Sequence, residues 1–134
     1  MSWHIPDMLM MKELGLMLYW GEGDKSTFDN VALTNSNPNI MKYFIVWLRK
    51  YFEIDEKRIK CRLYIWKNID ENQAKKFWSK TLNVPIKNFT KSYISKGQPK
   101  IRKKRHNHGI CRVCYSSTPL CKEIMKEITK LFIQ

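Results

Sequence analysis

The apolar residues of this chain follow two spacings, one typical of helices and one typical of strands. Helical spacing recurs in four segments, and each has a turn or capping residue at its boundary. The first predicted helix begins at Pro6 and Asp7 and ends at Gly21 and Gly23. The second follows the turn at 35–38 and runs to about Phe52. The third is capped by Asp70 and precedes Pro85, and the last begins at 117–119. We expect the glycines to end the first helix in the left-handed conformation.

Alternation of apolar and polar residues predicts strands between these helices. The clearest strand covers residues 58–66, and shorter strands are predicted at 28–34 and 110–115. A less regular segment at 89–94 is the weakest of the four strand predictions. The resulting order, α-β-α-β-α-β-β-α, predicts a single α+β domain over residues 1–134 without an internal repeat.

One face of the strand at 58–66 carries a group of cations and aromatic residues. Its members are Arg58, Lys60, Arg62, Tyr64 and Trp66, and they alternate with apolar residues suited to a core. A solvated outer face of a half-exposed sheet is one interpretation. The interpretation we favour is a surface that enters a DNA groove, where Arg and Lys reach base edges or phosphates.

The positive charge of the chain is concentrated in one block. Residues 1–71 contain ten Lys/Arg and ten Asp/Glu, whereas residues 72–122 contain thirteen Lys/Arg and no acid. Mixed signs are sufficient for solubility, so this block favours a polyanionic partner, of which nucleic acid is the commonest. The densest part, 100–105, is interpreted as a flexible loop or hairpin on phosphates, and a targeting signal is the alternative. The predicted contacts from this block are Lys100, Arg102, Lys103, Lys104, Arg105 and Arg112.

The N-terminus lacks the basic start and cleavage site of a signal peptide, and the apolar run 14–20 is too short to span a bilayer. We therefore expect a soluble protein of the cytoplasm, associated with the nucleoid, or of another intracellular compartment that contains DNA. Disulfides are not expected there.

Two histidines and two cysteines lie within nine residues and could ligate zinc. They are His106, His108, Cys111 and Cys114. If residues 110–115 form a strand, however, the two cysteines point to opposite faces and cannot both bind one ion. Zinc is therefore the weaker interpretation. The letters at 106–108 do not form the nuclease motif of the same spelling, whose residues are spread over a ββα-metal unit.

Residues 14–26 place two carboxylates at the end of an apolar helix, where the helix dipole disfavours negative charge. Glu22 and Asp24 occupy these positions, with only Lys25 nearby to offset them. Either the acids point into water as the chain turns, or one of them is held there to bind a cation.

A hydrophobic helix that ends in a small residue, an acid and glycine resembles the signature of LAGLIDADG homing endonucleases. Leu18, Tyr19, Gly21 and Gly23 fit a divergent form of that signature, and Glu22 stands where the family has its metal-binding acid. Two departures are Glu22 itself, where Asp is usual, and Met17, where the family often has a small residue for close helix contact. Residues 31–52 and 110–124 also resemble segments of small proteins that carry this domain.

The resemblance implies an interfacial helix followed by β-hairpins, which form a curved, mostly antiparallel sheet with helices packed behind it. It also implies a magnesium-dependent, site-specific endonuclease for double-stranded DNA, in which other divalent ions could replace magnesium. Glu22 is the expected catalytic residue and metal ligand, Gly21 is its neighbour at the metal site, and Asp24 is the second choice of acid. With one motif per chain, a homodimer and a roughly palindromic target are expected. The alternative is a non-catalytic relative that binds DNA or RNA as a transcription regulator or intron splicing factor.

Overall fold

The computed structural model describes residue 5, residues 10–96 and residues 108–133. These residues form four helices and four strands in the predicted order, which confirms the α+β class. In chain order they are α1 (Lys12–Glu22), β1 (Asn30–Asn35), α2 (Pro38–Tyr51), β2 (Ile59–Trp66), α3 (Glu71–Leu82), β3 (Tyr93–Ser95), β4 (Ile110–Ser116) and α4 (Thr118–Phe132). Short 3-10 turns lie at Glu56–Arg58 and Ile86–Asn88. Within the described ranges, none of the helices has the length and apolar composition of a membrane-spanning segment.

The four strands form one mixed sheet in the order β1-β4-β2-β3. β4 pairs antiparallel with both β1 and β2, whereas β2 pairs parallel with β3. β1, β2 and β3 therefore run in one direction and β4 runs in the other. Because parallel strands need a crossover connection, α2 and α3 serve as the crossovers. Among the described strands, no two that are consecutive in sequence pair antiparallel, so the β-hairpins implied by the LAGLIDADG resemblance are absent there.

The predicted starts of α2, α3 and α4 are confirmed by side-chain caps. α1 begins at Lys12, later than the predicted start at Pro6 and Asp7, two residues that lie outside the described ones. The side chains of Asn37, Asp70 and Ser117 each accept a hydrogen bond from a backbone N–H in the first turn of the helix that follows. The end of α1 differs from the prediction. Gly21 is still helical, and Gly23 is extended with φ −70° and ψ 155° rather than left-handed. Its N–H donates to the Tyr19 carbonyl at 2.8 Å, so α1 ends without the predicted glycine conformation.

The strands differ at their ends from the predictions. The strand expected at 28–34 covers Asn30–Asn35, and the strand expected at 110–115 extends to Ser116. The strand expected at 58–66 begins one residue later, because Arg58 belongs to the 3-10 turn before it. The strand expected at 89–94 shortens to Tyr93–Ser95, and Phe89 makes only an isolated parallel bridge to Cys61. The 3-10 turn at Ile86–Asn88 occupies the chain just before that bridge, so regular pairing begins only at Tyr93.

The core lies between the sheet and the helices, and its largest buried side chains come from α1, α2 and α3. The ring of Tyr19 stacks on Phe44 of α2 with the centroids 6.2 Å apart. Gly15 lets α1 approach α2 closely, because a Cβ atom there would lie 2.1 Å from Nε1 of Trp47. The same indole donates to the carbonyl of Lys12 at 3.1 Å, so one tryptophan fixes the distance between the two helices.

Candidate nucleic-acid interface

β2 and β4 present two different faces, because successive residues of a strand point to opposite sides of a sheet. The odd-numbered residues point toward the helices and are all buried, and we call their side the helix-covered face; they are Ile59, Cys61, Leu63, Ile65, Cys111, Val113 and Tyr115. The even-numbered residues of these two strands, together with Tyr93 and Ser95 of β3, form what we call the open face. The predicted alternation of β2 is confirmed.

The open face brings together four of the residues predicted to contact DNA on β2 with one on β4. Lys60 and Arg62 are exposed, Tyr64 and Trp66 are half-buried, and Arg112 lies directly opposite Arg62 in the antiparallel register. The Arg62 guanidinium lies 5.7 Å from the centre of the Tyr64 ring. Neither Lys60 nor Arg62 forms an ion pair within the described residues. Both cations are therefore available to an external anion.

Arg112 differs from Arg62 because its charge is already offset. Its Nη2 donates to Asp24 Oδ2 at 3.0 Å, and its Nη1 donates to Thr34 Oγ1 at 3.4 Å. Like charges directly opposite each other on two strands repel, so this ion pair makes the juxtaposition of the two arginines tolerable. It also connects the segment after α1 to the open face.

Asp24 is held by three donors. Its Oδ1 accepts from the Ser26 N–H at 2.9 Å and from the Ser26 hydroxyl at 2.7 Å, in addition to the Arg112 contact. These bonds, led by the Ser26 N–H, lower the pKa of Asp24 to about 2. Asp24, the second choice of metal-binding acid, thus stabilises the loop after α1 through these hydrogen bonds.

Glu22 is the last residue of α1 and is exposed. Across the described ranges its carboxylate makes no hydrogen bond or ion pair, in contrast to Asp24 two residues later. Gly21 is equally open, because a Cβ atom there would meet nothing within 4 Å. Both predicted metal-site residues are therefore accessible from outside the molecule.

Lys25 offsets the negative end of α1. Its Nζ donates to the Gly23 carbonyl at 2.7 Å and lies 5.7 Å from the centre of the Trp20 ring. A cation at a helix C-terminus is stabilising, so this lysine reduces the unfavourable field at Glu22 without pairing with it.

The outward side of α1 carries several exposed apolar residues beside the exposed Glu13. Leu14, Met17 and Trp20 are each 42–43% exposed, and Gly21 lies one turn beyond Met17 on the same side. The exposed Phe132 of α4 extends this surface, with its ring 6.0 Å from that of Trp20. We call Leu14, Met17, Trp20, Gly21 and Phe132 the α1 apolar surface. Met17, which departs from the family pattern, thus lies on the solvent-exposed side of α1.

Arg58 lies apart from the open face. Its guanidinium donates to the Ser116 carbonyl and lies 5.2 Å from the centre of the ring of Tyr115, a residue of the helix-covered face. The predicted row of five residues on β2 is therefore reduced to four.

The predicted phosphate contacts at Lys100, Arg102, Lys103, Lys104 and Arg105 lie outside the described residues, as does His106. Cys111 is buried on the helix-covered face and Cys114 lies on the open face, so their predicted separation is confirmed. His108 stacks on Phe77 of α3 at 3.9 Å. Among the residues that the structure covers, no three His, Cys, Asp or Glu side chains are grouped to hold a metal ion.

Sequence reasoning missed Tyr93 as a member of the open face. It is the register partner of Tyr64, and their rings lie 6.1 Å apart. The segment that contains Tyr93 is irregular, so no alternation of apolar and polar residues predicts the sheet face on which Tyr93 lies. The parallel pairing of β3 with β2 is a long-range feature. An aromatic residue amid Lys91 and Lys96 was the available signal.

Comparison of this chain with protein-family models, with curated proteins and with solved structures finds no match. The LAGLIDADG resemblance therefore stays a prediction that rests on the residues that carry it.

Proposed function

We propose that this chain is a site-specific endonuclease for double-stranded DNA, of the homing type, that acts as a homodimer and depends on a divalent metal ion. The open face would bind the DNA, and Glu22 of each chain would bind a metal ion at the cleavage site. The binding part of the proposal and the catalytic part rest on different residues, so they are tested separately.

The observation that carries the proposal is the composition of the open face. Lys60 and Arg62 project from a sheet face that also carries Tyr64, Trp66 and Tyr93, with no acid offsetting either cation in the described part of the chain. Cations that reach phosphates supply a large share of the affinity for DNA, and the major groove admits a two-stranded β-ribbon as well as a helix. The Asp24–Arg112 pair connects this face to the end of α1, where Glu22 lies.

The chemistry of Glu22 fits magnesium in part. Magnesium retains several waters and binds through one or two carboxylates together with substrate phosphates. One exposed carboxylate per chain, two in a dimer, and the DNA phosphates would provide that donor set. A bound divalent ion activates water and offsets charge on the leaving oxygen. Glu22 would hold the ion, while the open face would keep the DNA in place.

The homodimer is supported by the α1 apolar surface. Monomeric proteins rarely expose contiguous apolar patches of large area, and this one ends at Gly21 and Glu22. A symmetric contact through α1 would place the two Glu22 residues near each other. Met17, larger than the residue that the family pattern has, would increase the separation of the paired helices.

A non-catalytic nucleic-acid-binding protein is the second candidate, and one observation favours it. The sheet lacks the β-hairpins implied by the resemblance among its described strands, whereas the open face is independent of that resemblance. Binding would then persist without any need for magnesium.

Cleavage is tested by incubating the protein with a randomised duplex DNA library and magnesium, and then sequencing the ends. Defined staggered ends are expected, and Glu22→Gln should abolish them while DNA binding is retained. Asp24→Asn is the matched control, because that carboxylate is already engaged with Ser26 and Arg112, and cleavage should persist. Sequence-selective binding without cuts would favour the second candidate, and cuts that survive Glu22→Gln would overturn the assignment of the site.

Self-association is tested by sedimentation with and without DNA. Met17→Glu should convert a dimer into a monomer, because it places a charge in the α1 apolar surface. Ile86→Glu is the matched control, since Ile86 is 47% exposed but lies beyond α3, away from α1. A wild-type protein that stays monomeric on DNA would contradict the homodimer.

A further inference from the structure

A small apolar cavity lies on the open face, and its lining includes residues from all four strands. Its volume is about 310 Å³, and it is lined by Thr34, Tyr64, Ile65, Trp66, Tyr93, Ser95 and Ile110. Ligand pockets in proteins range from about 300 to 1,000 Å³, so this cavity suits one small ring system rather than an extended ligand.

Three aromatic side chains at this cavity are not required by the core. Tyr64 and Trp66 lie on the open face, away from the helices, and Tyr93 is 55% exposed on the edge strand β3. The Tyr64 and Tyr93 rings are tilted by 48°, so they offer two differently oriented ring faces. Cross-strand aromatic pairs do stabilise sheets, but this pair leaves more than half of Tyr93 accessible.

The surroundings of the cavity favour a ligand that is flat, aromatic and attached to an anion. The Arg62 guanidinium lies against Tyr64, and Lys60 follows on the same face of β2. A nucleotide has this combination, because its base stacks on aromatic rings and its phosphate pairs with cations. Stacking of bases on aromatic side chains tolerates any sequence, since every base has a π-face.

Bases in an intact duplex offer only their edges to a protein, because their faces are stacked on one another. A base can enter this cavity only after it has left the stack, as in a bulge or an extruded nucleotide. We propose that Tyr64, Trp66 and Tyr93 form a stacking site for one unpaired base of the bound DNA. This inference depends on the proposed function for the identity of the polymer as DNA, but not on cleavage.

The test compares the binding of two fluorescently labelled DNA duplexes of the same sequence, one fully paired and one with a single unpaired adenine, in buffer without magnesium. The protein should bind the bulged duplex more tightly. Tyr93→Ala should weaken binding of the bulged duplex about tenfold more than it weakens binding of the paired duplex, whereas Tyr93→Phe should retain wild-type affinity because it keeps the ring. Circular dichroism checks that the variants are folded.

Phe28→Ala is the matched aromatic control, since Phe28 is 61% exposed and lies before β1, at the opposite edge of the sheet. It should leave both affinities unchanged. Equal weakening on paired and bulged duplexes with Tyr93→Ala would overturn the stacking site, as would no weakening at all. An RNA duplex with the same bulge, if it bound more tightly than the DNA and depended on Tyr93, would overturn the assignment to DNA.

The two proposals fail in distinguishable ways. Preference for the bulge without any cleavage would remove the endonuclease and keep the stacking site. If a Tyr93→Ala variant cleaved duplex DNA and bound the bulged duplex as tightly as wild type, the endonuclease would be kept and the stacking site removed.

Discussion

The two faces of β2 and β4 come from the same fifteen residues and have opposite compositions. On the helix-covered face every side chain of these strands is buried and apolar, apart from the hydroxyl of Tyr115. That hydroxyl accepts a hydrogen bond from the Asp55 N–H at 3.0 Å. On the open face, cations and aromatic rings remain accessible. The helix-covered face is explained by the requirement for a core, whereas the open face has no such explanation, and the proposed DNA partner would provide one.

The largest expected effect is on the helix-covered face. Leu63→Ala should lower the free energy of unfolding by about 2–5 kcal/mol, because it removes fully buried methyl groups and leaves a cavity. Arg62→Ala, one residue earlier on the open face, should change it by no more than about 0.5 kcal/mol. Urea denaturation of the two variants measures both values. Equal decreases in the free energy of unfolding would show that the open face also contributes to the stability of the fold.

The same contrast applies to the two sides of α1. Gly15→Ala should destabilise the protein by about 1–3 kcal/mol, because its Cβ would overlap the Trp47 indole. Gly21→Ala, on the outward side, meets nothing and should stabilise the helix by up to about 1 kcal/mol. Thermal unfolding of both variants is the measurement. A neutral Gly15→Ala would mean that α1 and α2 can separate without loss of packing.

On the open face the expected effect is on binding. Lys60→Ala and Arg62→Ala should each weaken duplex DNA binding and reduce the slope of log K against log salt by about one for each phosphate that the removed cation neutralises. Lys122→Ala removes the same charge from α4, in the helix layer, and should leave the slope unchanged. Titrations at several salt concentrations make the comparison. If all three variants bound DNA equally weakly, net charge rather than the open face would determine binding.

The smallest effect is expected at Asp24, which connects α1 to the open face. Its pKa is lowered from 3.8 to about 2, so its contribution to stability is present above pH 4 and is lost as the pH falls toward 2. Asp24→Asn should therefore cost about 1 kcal/mol or less at pH 7, since the pair is partly exposed, and the difference from wild type should diminish as the pH falls through 2.

Urea denaturation across this pH range tests the linkage of Asp24. Glu22→Gln, two residues earlier, should leave stability at pH 7 within about 0.5 kcal/mol of wild type. A difference between Asp24→Asn and wild type that persists unchanged at pH 2 would contradict the assigned ion pair.

The helices and β2 could be predicted because their signals are local. Caps such as Asn37 and Asp70 act within three residues, and the alternation of β2 is uninterrupted. The pairing of β2 with β3 could not be predicted, since nothing in a three-residue edge strand specifies a parallel partner. The end of α1 was also mispredicted, because Gly23 adopts an extended conformation that allows its bridge to Leu33.

The candidate site shows the same division between local and long-range information. Tyr64 and Trp66 could be assigned to the open face from alternation alone. The pairing of Asp24 with Arg112 spans 88 positions, and the contact of Gly15 with Trp47 joins two helices, so neither leaves a local pattern. The position of Tyr93 on the open face depends on the parallel register of β3 with β2, which is equally non-local.

The position of β4 determines when the sheet can be completed. β4 is the last strand in the chain and lies between β1 and β2, which do not pair with each other. During synthesis, β1 has no neighbouring strand until residues 110–116 have left the ribosome, and a chain interrupted before them exposes unpaired edges on both sides of the gap. Because contacts between segments distant in sequence form slowly, we expect the insertion of β4 to limit the rate of folding. Nascent chains that end before β4 are accordingly the species in which edge-to-edge aggregation is expected.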